Sequence, residues 1–228
     1  MKEYFDILRI CPLFRDIERQ ELARALECLS PRISALDRGE AVLSEGDPAT
    51  DIGIVLTGRL QIVQTDFFGN RSIIASLAPG ELFGESFACA GVEAVPVTVM
   101  AAEAGEVMLV DCFRITHSCG NACGFHQQMI YNLLQIVAAK NLVFHQKIEV
   151  TSKRTTREKL MAYLMLQAKR RGSLEFDIPY DRQELADYLE VERSGLSAEI
   201  GKLCRQGIIE ADRRKFKICK SMEDLRRQ

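Results

Sequence analysis

The 228-residue sequence lacks the apolar run of about 18–20 residues that a membrane-spanning helix needs. Its longest candidate, MIYNLLQIVAAKNLVF, is interrupted by Asn132, Gln135, Lys140 and Asn141. The N-terminal stretch MKEYFDILRICPLF lacks the apolar segment and the small-residue cleavage site of a signal peptide. We therefore expect no membrane contact and a cytoplasmic location.

Histidine is also scarce, with only His117, His126 and His145 in the chain. Metal-dependent enzymes built on β-barrels need several histidines and carboxylates that converge inside the barrel. None of the three histidines lies in a segment that we interpret below as a strand, so the sequence argues against an enzyme. The eight cysteines of a cytoplasmic protein are expected to be free thiols or ligands rather than disulfides.

Charge is distributed unevenly along the chain. Residues 1–149 carry 12 Lys and Arg against 19 Asp and Glu, whereas residues 150–228 carry 18 against 13. This asymmetry predicts two units with different partners, of which the basic one suits nucleic acid. The alternative is a surface that is merely uneven.

Residues 32–112 predict a jelly roll or barrel with an internal cavity. Regularly placed glycines separate short, β-branched segments: AVLSEG, IGIVLTG, RLQIVQTD, RSIIASL and VMLVD. The tetrapeptide FFGN, at 67–70, indicates a hairpin between two of them. Before the roll, Asp16 is expected to cap a helix that ends before Pro31.

From His126 to Val150 the sequence predicts one long helix. Two sets of residues on it recur every seven positions: Ile130, Val137 and Phe144, and Leu134, Asn141 and Ile148. A seven-residue repeat indicates a seam for self-pairing, in which the polar Asn141 would fix the register. The alternative is a helix packed on its own domain. The polar segment 151–156 (TSKRTT) is interpreted as a hinge.

The basic part of the chain predicts a winged helix. A helix that ends at Gly172 is followed by the short strand FDIP, and Asp181 with Glu184 forms a capping-box pattern for the next helix. Two short helices then bury one face each: Leu185, Ala186 and Leu189 on the first, and Leu196, Ile200 and Leu203 on the second. The segment GIIEADRRKFKICK predicts a hairpin wing around Asp212–Arg213–Arg214.

The exposed side of the second helix suits a major groove, where arginine bonds guanine, and the basic hairpin tip suits phosphates. The alternative is a winged helix used for protein contacts. Glu190, in the turn between the two helices, departs from the glycine that often occupies such a position with positive φ.

From about Leu13 to Ile218 the chain resembles the CRP/FNR family of bacterial transcription regulators. The roll carries RGEAVLSEGDPATDIGIVLTGRLQIV and PGELFGE, and the basic part carries TREKLMAYLMLQA and IPYDRQELADYLEVERSGLSAEIGKLCRQGII. The resemblance implies an α+β protein with three parts: a double-stranded β-helix (jelly-roll) effector domain over 1–125, a dimerisation helix over 126–150 and a winged helix-turn-helix domain over 151–228. It implies a homodimer that binds a palindromic operator in double-stranded DNA, with RNA polymerase as a further candidate partner and no enzymatic activity.

Carried over by position, the family's base-reading residues fall on Arg193, Ser194 and Ser197. The residues interpreted as phosphate contacts are Lys202, Arg205, Arg213 and Arg214. A Glu is common in the family where this chain has Ser194, and an Arg is common where it has Ala198. The DNA half-site therefore need not match that of the best-known members.

The stretch PGELFGESFACAGVEAVPVTV resembles the effector pocket of the family. The candidate pocket residues are Gly84, Glu85, Ser86, Val95, Pro96 and Val97. Gly84 and Glu85 match the cAMP-binding members, but the positions of their Arg-Ser pair hold Val95 and Pro96, and no Lys or Arg occurs between Arg71 and Arg114. A buried phosphate would lack a cation, which disfavours cAMP and favours a smaller or more apolar effector, such as a carboxylate or an aromatic acid. The alternative is an empty roll that only scaffolds the dimer.

The segment HSCGNACGFH places His117, Cys119, Cys123 and His126 within ten residues. Three interpretations stay open: a metal site, a thiol redox pair of Cys119 and Cys123, or a helix entry in which Cys123 is packed. A redox- or metal-responsive regulator of the same family is therefore the alternative function. Four other cysteines are expected to be small buried apolar residues: Cys89, Cys112, Cys204 and Cys219.

Overall fold

The computed structural model describes residues 4–117 and 123–219. The chain divides into two compact units, one of residues 1–68 with 74–143 and the other of residues 69–73 with 144–228. No helix in the described residues is both long enough and apolar enough to span a membrane.

The first unit is a β-roll framed by short helices. Its helices are α1 (Phe5–Ile10), α2 (Arg19–Leu29), α3 (Glu85–Ala90) and α4 (Cys112–Thr116), with a short 3-10 helix at Pro12–Phe14. Its strands are β1 (Arg32–Leu36), β2 (Ala41–Leu43), β3 (Asp51–Thr65), β4 (Arg71–Leu77), β5 (Leu82–Phe83) and β6 (Thr98–Asp111). The sheet order is β1-β6-β3-β4, with β2 paired to β6 and β5 paired to β3. The predicted roll is confirmed.

One predicted strand break is wrong. The segments IGIVLTG and RLQIVQTD, expected to be separate strands, belong to the single long strand β3. The strand continues through Gly58 instead of ending there. Its register against β6 shifts repeatedly between Val55 and Leu60. Gly58 has a φ of +75°, and a Cβ at this position would come within 2.5 Å of the Ala104 carbonyl oxygen, so the close approach of the two strands requires glycine.

The interior of the roll is aliphatic and aromatic. One cluster of buried residues comes mainly from strands β1, β3, β4, β5 and β6: Leu36, Val55, Leu60, Ile62, Leu77, Phe83, Val97, Val99, Ala101 and Val107. The predicted helix α2 buries its apolar face, but Asp16 does not cap it. The helix begins after Glu18, and Asp16 lies in the preceding turn with a φ of +61°.

The long helix α5 runs over Phe125–Thr151, as the sequence predicted to within one residue at each end. One face packs in the core of the first unit through Phe125, Met129, Leu133 and Ile136. The predicted seam lies elsewhere on the helix, and five of its six residues are exposed, while Val137 is half-buried. The helix therefore combines a face packed on its own domain with a second apolar surface.

The second unit has the predicted strand, helix, turn, helix, hairpin order. Its elements are α6 (Thr156–Arg171), β7 (Glu175–Asp177), α7 (Arg182–Leu189), α8 (Arg193–Arg205), β8 (Ile209–Asp212) and β9 (Lys215–Ile218), with the sheet order β7-β9-β8. Gly172 ends α6 in the left-handed conformation, and Asp181 with Glu184 forms a full capping box on α7, so both predicted caps are confirmed. A second capping box, Thr155 with Glu158, starts α6 inside the segment interpreted as a hinge.

Candidate functional site

Helices α7 and α8 form a two-helix unit joined by a short turn. The six residues expected on the inner faces are all buried: Leu185, Ala186, Leu189, Leu196, Ile200 and Leu203. Burial of this set fixes which side of α8 faces solvent, because residues three and four positions apart share one side of a helix.

The solvent side of α8 holds the residues predicted to read bases. Arg193, Ser194 and Ser197 are exposed at the N-terminal end of the helix, within one turn of one another. Lys202 and Arg205 are exposed further along the same helix. Arg193, Lys202 and Arg205 make no ion pair with any described residue, so their charges are available to a polyanion.

The wing carries fewer available cations than its sequence suggests. Arg213 is exposed at the tip with a φ of +48°. Arg214 lies 3.9 Å from the Oε2 atom of Glu184, whose carboxylate also closes the capping box of α7. Lys215 pairs with Glu175 at 2.5 Å. Of the two predicted wing contacts, Arg213 has no ion pair in the described part of the chain, whereas Arg214 shares a carboxylate with the helix start.

The turn between α7 and α8 adopts the positive-φ conformation although it has Glu190 in place of the usual glycine. Glu190 is in the left-handed region (φ 55°, ψ 56°), where a side chain costs about 1 kcal/mol. Its carbonyl oxygen accepts a hydrogen bond from Lys159, and its carboxylate lies 3.8 Å from the buried Lys147 ammonium. Burial lowers the pKa of Lys147 to about 8, and the nearby Glu190 carboxylate opposes this shift. The Lys147 ammonium also lies 4.8 Å from the ring centre of Tyr188.

The candidate effector pocket is built around the start of α3. Gly84 precedes this helix with a φ of +77°, and a Cβ there would lie 3.0 Å from the Asp51 carbonyl oxygen, so any other residue would be strained at this position. The backbone turn directs Glu85 inward, and its side chain is only 4% exposed. The Ser86 hydroxyl donates to the Oε1 atom of Glu85 over 3.2 Å.

A cation does reach this pocket, from an element that the sequence analysis did not connect to it. The Nζ atom of Lys140, on α5, lies 2.9 Å from Oε1 of Glu85 and donates to the Leu82 carbonyl over 2.5 Å. The Oε2 atom of Glu85 is buried and has no hydrogen-bond partner among the described residues. The candidate effector site at the start of α3 thus contains an internal ion pair, and one carboxylate oxygen of Glu85 has no partner among the described residues.

Of the three predicted pocket residues at 95–97, two are buried and one is exposed. Val95 and Val97 are buried, and Val97 shares the roll core with Phe83 and Phe87. Pro96 is exposed. At the positions where the cAMP-binding members carry an Arg-Ser pair, this chain therefore has the buried apolar Val95 and the exposed Pro96, neither of which is a cation.

These two sites coincide with two recognised domains. Residues 34–112 match the cyclic nucleotide-binding domain, and residues 158–228 match the Crp-like helix-turn-helix domain, so together the matches cover more than half of the chain. The chain is 26% identical over 186 residues to the transcriptional activator protein FnrL of Cereibacter sphaeroides, which covers 75% of this chain and 69% of FnrL. The chain belongs to the CRP/FNR family.

Solved structures of the family have the same fold. FixK2 from Bradyrhizobium japonicum superposes with a TM-score of 0.66 at 20% identity, over 86% of this chain and 96% of FixK2. The c-di-GMP-responsive regulator CLP of Xanthomonas campestris gives 0.69 at 16% identity, over 87% of this chain and all of CLP. The chain is accordingly a transcription regulator with a helix-turn-helix DNA-binding domain, and the family consists of regulators, not enzymes, that act as dimers.

The cysteine–histidine segment is only partly described. Cys119 lies outside the described residues. His117, at the end of α4, stacks on Phe113 with ring centres 3.7 Å apart. His126 is buried, with its Nε2 atom 3.9 Å from the Cys28 sulfur and its Nδ1 atom without a hydrogen-bond partner in the described part. Within residues 4–117 and 123–219, no three metal-binding side chains come together.

Two features of this CRP/FNR chain escaped the sequence analysis. Lys140 was treated only as an interruption of an apolar helix. The signal that could have identified it is that Lys140 is the only cation in the apolar segment MIYNLLQIVAAKNLVF. The expectation that Cys89, Cys112, Cys204 and Cys219 are all buried is wrong, because Cys89 and Cys219 are exposed and Cys204 is half-buried. Cys112 is buried and lies close to Cys89.

Proposed function

We propose that this CRP/FNR regulator binds a palindromic operator as a homodimer, in the bacterial cytoplasm, and that a small effector in the roll controls binding. The observation that carries the DNA-binding part is the exposed side of α8. It presents Arg193, Ser194 and Ser197 together, while the opposite side of the helix is fully used in the core.

The residues divide into two roles. Arg193 can form two hydrogen bonds with a guanine edge, and Ser194 and Ser197 can each bond a neighbouring base. Lys202, Arg205 and Arg213 lie around this group as exposed cations and are proposed to contact phosphates. Arg214 is a weaker candidate because Glu184 partly neutralises it.

The experiment is a selection from a random duplex library with purified protein, first without ligand and then with cell extract. We expect an enriched palindrome whose half-site centres lie about one helical turn apart. On that site Arg193→Ala should cost about 1–3 kcal/mol and relax one base position, and Lys202→Ala should weaken all sequences equally and lower the salt dependence. Arg38→Ala, at an exposed position in the roll, is the control. Unchanged affinity and unchanged preference in Arg193→Ala would refute the base-reading role.

The dimer is proposed to form through the exposed apolar surface of α5. Leu134 is 67% exposed and Ile148 is 61% exposed on a helix whose other face is already buried. Apolar side chains repeated in this way suit a partner helix from a second copy. Leu134→Glu should give a monomer in sedimentation velocity. Leu174→Glu, at a site that is 61% exposed outside α5, should stay dimeric. A dimeric Leu134→Glu variant would place the interface elsewhere.

The effector is proposed to be other than cAMP. A cyclic phosphate needs a cation, and Lys140 is already paired with Glu85, while Val95 and Val97 contribute only apolar surface. The unused Oε2 atom of Glu85 favours a molecule that donates a hydrogen bond from a hydroxyl or an amine and is otherwise apolar. Isothermal titration with cAMP should show no binding at micromolar concentrations. Micromolar affinity would overturn this part of the proposal.

A redox- or metal-responsive regulator that uses Cys119 and Cys123 stays the alternative hypothesis, and RNA polymerase stays a candidate partner. Metal analysis of protein purified without an affinity tag tests the metal version. Near-zero metal per chain would remove it.

A further inference from the structure

Two cysteines that are 23 positions apart in sequence meet beside the candidate pocket. The Sγ atoms of Cys89, on α3, and Cys112, the first residue of α4, lie 3.8 Å apart. Asp111 caps α4 by accepting a hydrogen bond from the Phe113 N–H over 2.8 Å, which fixes the position at which Cys112 leaves β6. The contact is therefore set by two elements of the roll rather than by a shared loop.

The two thiols differ in exposure. Cys89 is exposed, whereas Cys112 is only 8% exposed and packs in the core of the first unit. Cys89 is therefore the thiol of the pair that a small oxidant can approach from solvent. The sulfur of Cys112 is close enough to react with Cys89 but is screened from larger reagents. This is the arrangement of an attacking thiol and a resolving thiol.

The geometry permits a bond between them. A disulfide joins its sulfurs at about 2.05 Å, so the two atoms must approach by roughly 1.8 Å. Helix α3 has six residues and ends at Gly91, which has a φ of +64°. Rotation about the side-chain bonds, with a small shift of this short helix, can supply the movement.

We propose that Cys89 and Cys112 form a reversible intramolecular disulfide when the protein meets a low-molecular-weight disulfide. The Cys89 thiolate attacks one sulfur of the reagent RSSR and forms a mixed disulfide, while one RS⁻ leaves and takes up a proton. The Cys112 sulfur, after losing its proton, attacks the Cys89 sulfur and expels the second RSH. Two protein thiols are oxidised, and one RSSR is reduced to two RSH.

The surroundings of the pair set the rate of this exchange. Desolvation by burial raises the pKa of Cys112 to about 12, and it raises the pKa of Cys89 as well. Both thiols are therefore protonated near neutral pH, and oxidation should accelerate as the pH rises. A thiol of high pKa is a poor leaving group, so reduction that must expel Cys112 should be slow.

The bond would act on the element that carries the pocket. Helix α3 begins with Glu85 and contains Cys89, so the disulfide would tie it to α4 and to the end of β6. This inference goes beyond the proposed effector control, because the disulfide would form whether or not an effector binds.

The test is titration of the reduced full chain with oxidised glutathione, followed by alkylation, intact mass measurement and peptide mapping. In the wild type the peptides of Cys89 and Cys112 should be joined, with a mass two hydrogen atoms below the sum of the two reduced peptides. Cys112→Ser should instead accumulate glutathione on Cys89, because the resolving thiol is missing. Cys89→Ser is a change at an exposed position, so it should keep the fold intact, and it should leave Cys112 unmodified.

Two outcomes would contradict the proposed disulfide. If wild-type Cys89 retains glutathione to the same extent as in Cys112→Ser, the two thiols are merely neighbours and the proposal fails. It also fails if the mapped disulfide of the wild type joins either cysteine to a different partner.

Discussion

Removing the Lys140 ammonium from the pocket tests whether the internal ion pair organises this site. In Lys140→Met a side chain of similar length replaces the lysine, and Glu85 is left buried without its cation. The two charges lie 2.9 Å apart, with 4% of the Glu85 side chain and 23% of the Lys140 side chain exposed. At an effective dielectric constant of about 20 their attraction is roughly 6 kcal/mol, which is largely offset by the several kcal/mol per ion needed to desolvate them.

The net contribution of the ion pair to the free energy of unfolding is therefore small, but removing one of its partners is strongly destabilising. An uncompensated buried charge destabilises a protein by about 3–5 kcal/mol, and we expect Lys140→Met to fall near the lower end because Lys140 is partly exposed. The double variant Glu85→Gln/Lys140→Met removes both charges and should recover most of the loss. The difference between the double variant and the two single variants gives the interaction energy.

The assay is urea unfolding followed by far-ultraviolet circular dichroism, since the chain has no tryptophan. Lys153→Met, at an exposed position, is the control and should change the unfolding free energy by less than about 0.5 kcal/mol. A loss below about 1 kcal/mol in Lys140→Met would refute the reasoning, because it would place Lys140 among ordinary surface ion pairs.

Two further predictions concern the second unit. The pKa of Lys147 is lower in the folded chain than in the unfolded one, so the unfolded chain binds more protons between about pH 8 and 10.5, and folding becomes more favourable as the pH rises through this window. Urea unfolding at pH 7 and pH 10 should show wild type gaining roughly 2.5 kcal/mol relative to Lys147→Met, and a constant difference would contradict the assignment. Asp181→Ala should cost about 0.5–2 kcal/mol in thermal unfolding by removing the cap of α7, whereas Asp177→Ala, at an exposed position in β7, should cost less. Equal losses in the two aspartate variants would show that the cap contributes nothing.

The winged helix was predictable because its determinants are local. Asp181 and Glu184 lie three residues apart and cap α7 directly, and the buried positions of α7 and α8 follow helical spacing. The roll was predictable as a class, but the continuity of β3 was not. Strand β3 can continue through position 58 because glycine has no side chain there. The backbone that a side chain would meet belongs to Ala104, which is remote in sequence.

The candidate sites also differ in whether local sequence patterns predict them. The exposure of Arg193, Ser194 and Ser197 follows from the pattern of α8 alone. The pairing of Lys140 with Glu85 does not, because it depends on how α5 packs against the start of α3. The Cys89–Cys112 contact likewise depends on two elements that are joined only through β6. Local patterns identified the surface that is proposed to read DNA, whereas the contacts inside the roll depended on long-range packing.

The position of Lys140 would couple the proposed effector binding to the proposed self-association. The same helix that carries this ammonium into the pocket carries the apolar surface proposed for self-association. A molecule that competes with Lys140 for Glu85 changes the environment of α5, so its affinity should differ between monomer and dimer. Linkage is reciprocal, and such an effector must then shift the dimerisation constant by the same factor. Protein concentration would therefore act on the pocket as a second ligand, and an effector affinity would be meaningful only when the dilution at which it was measured is stated.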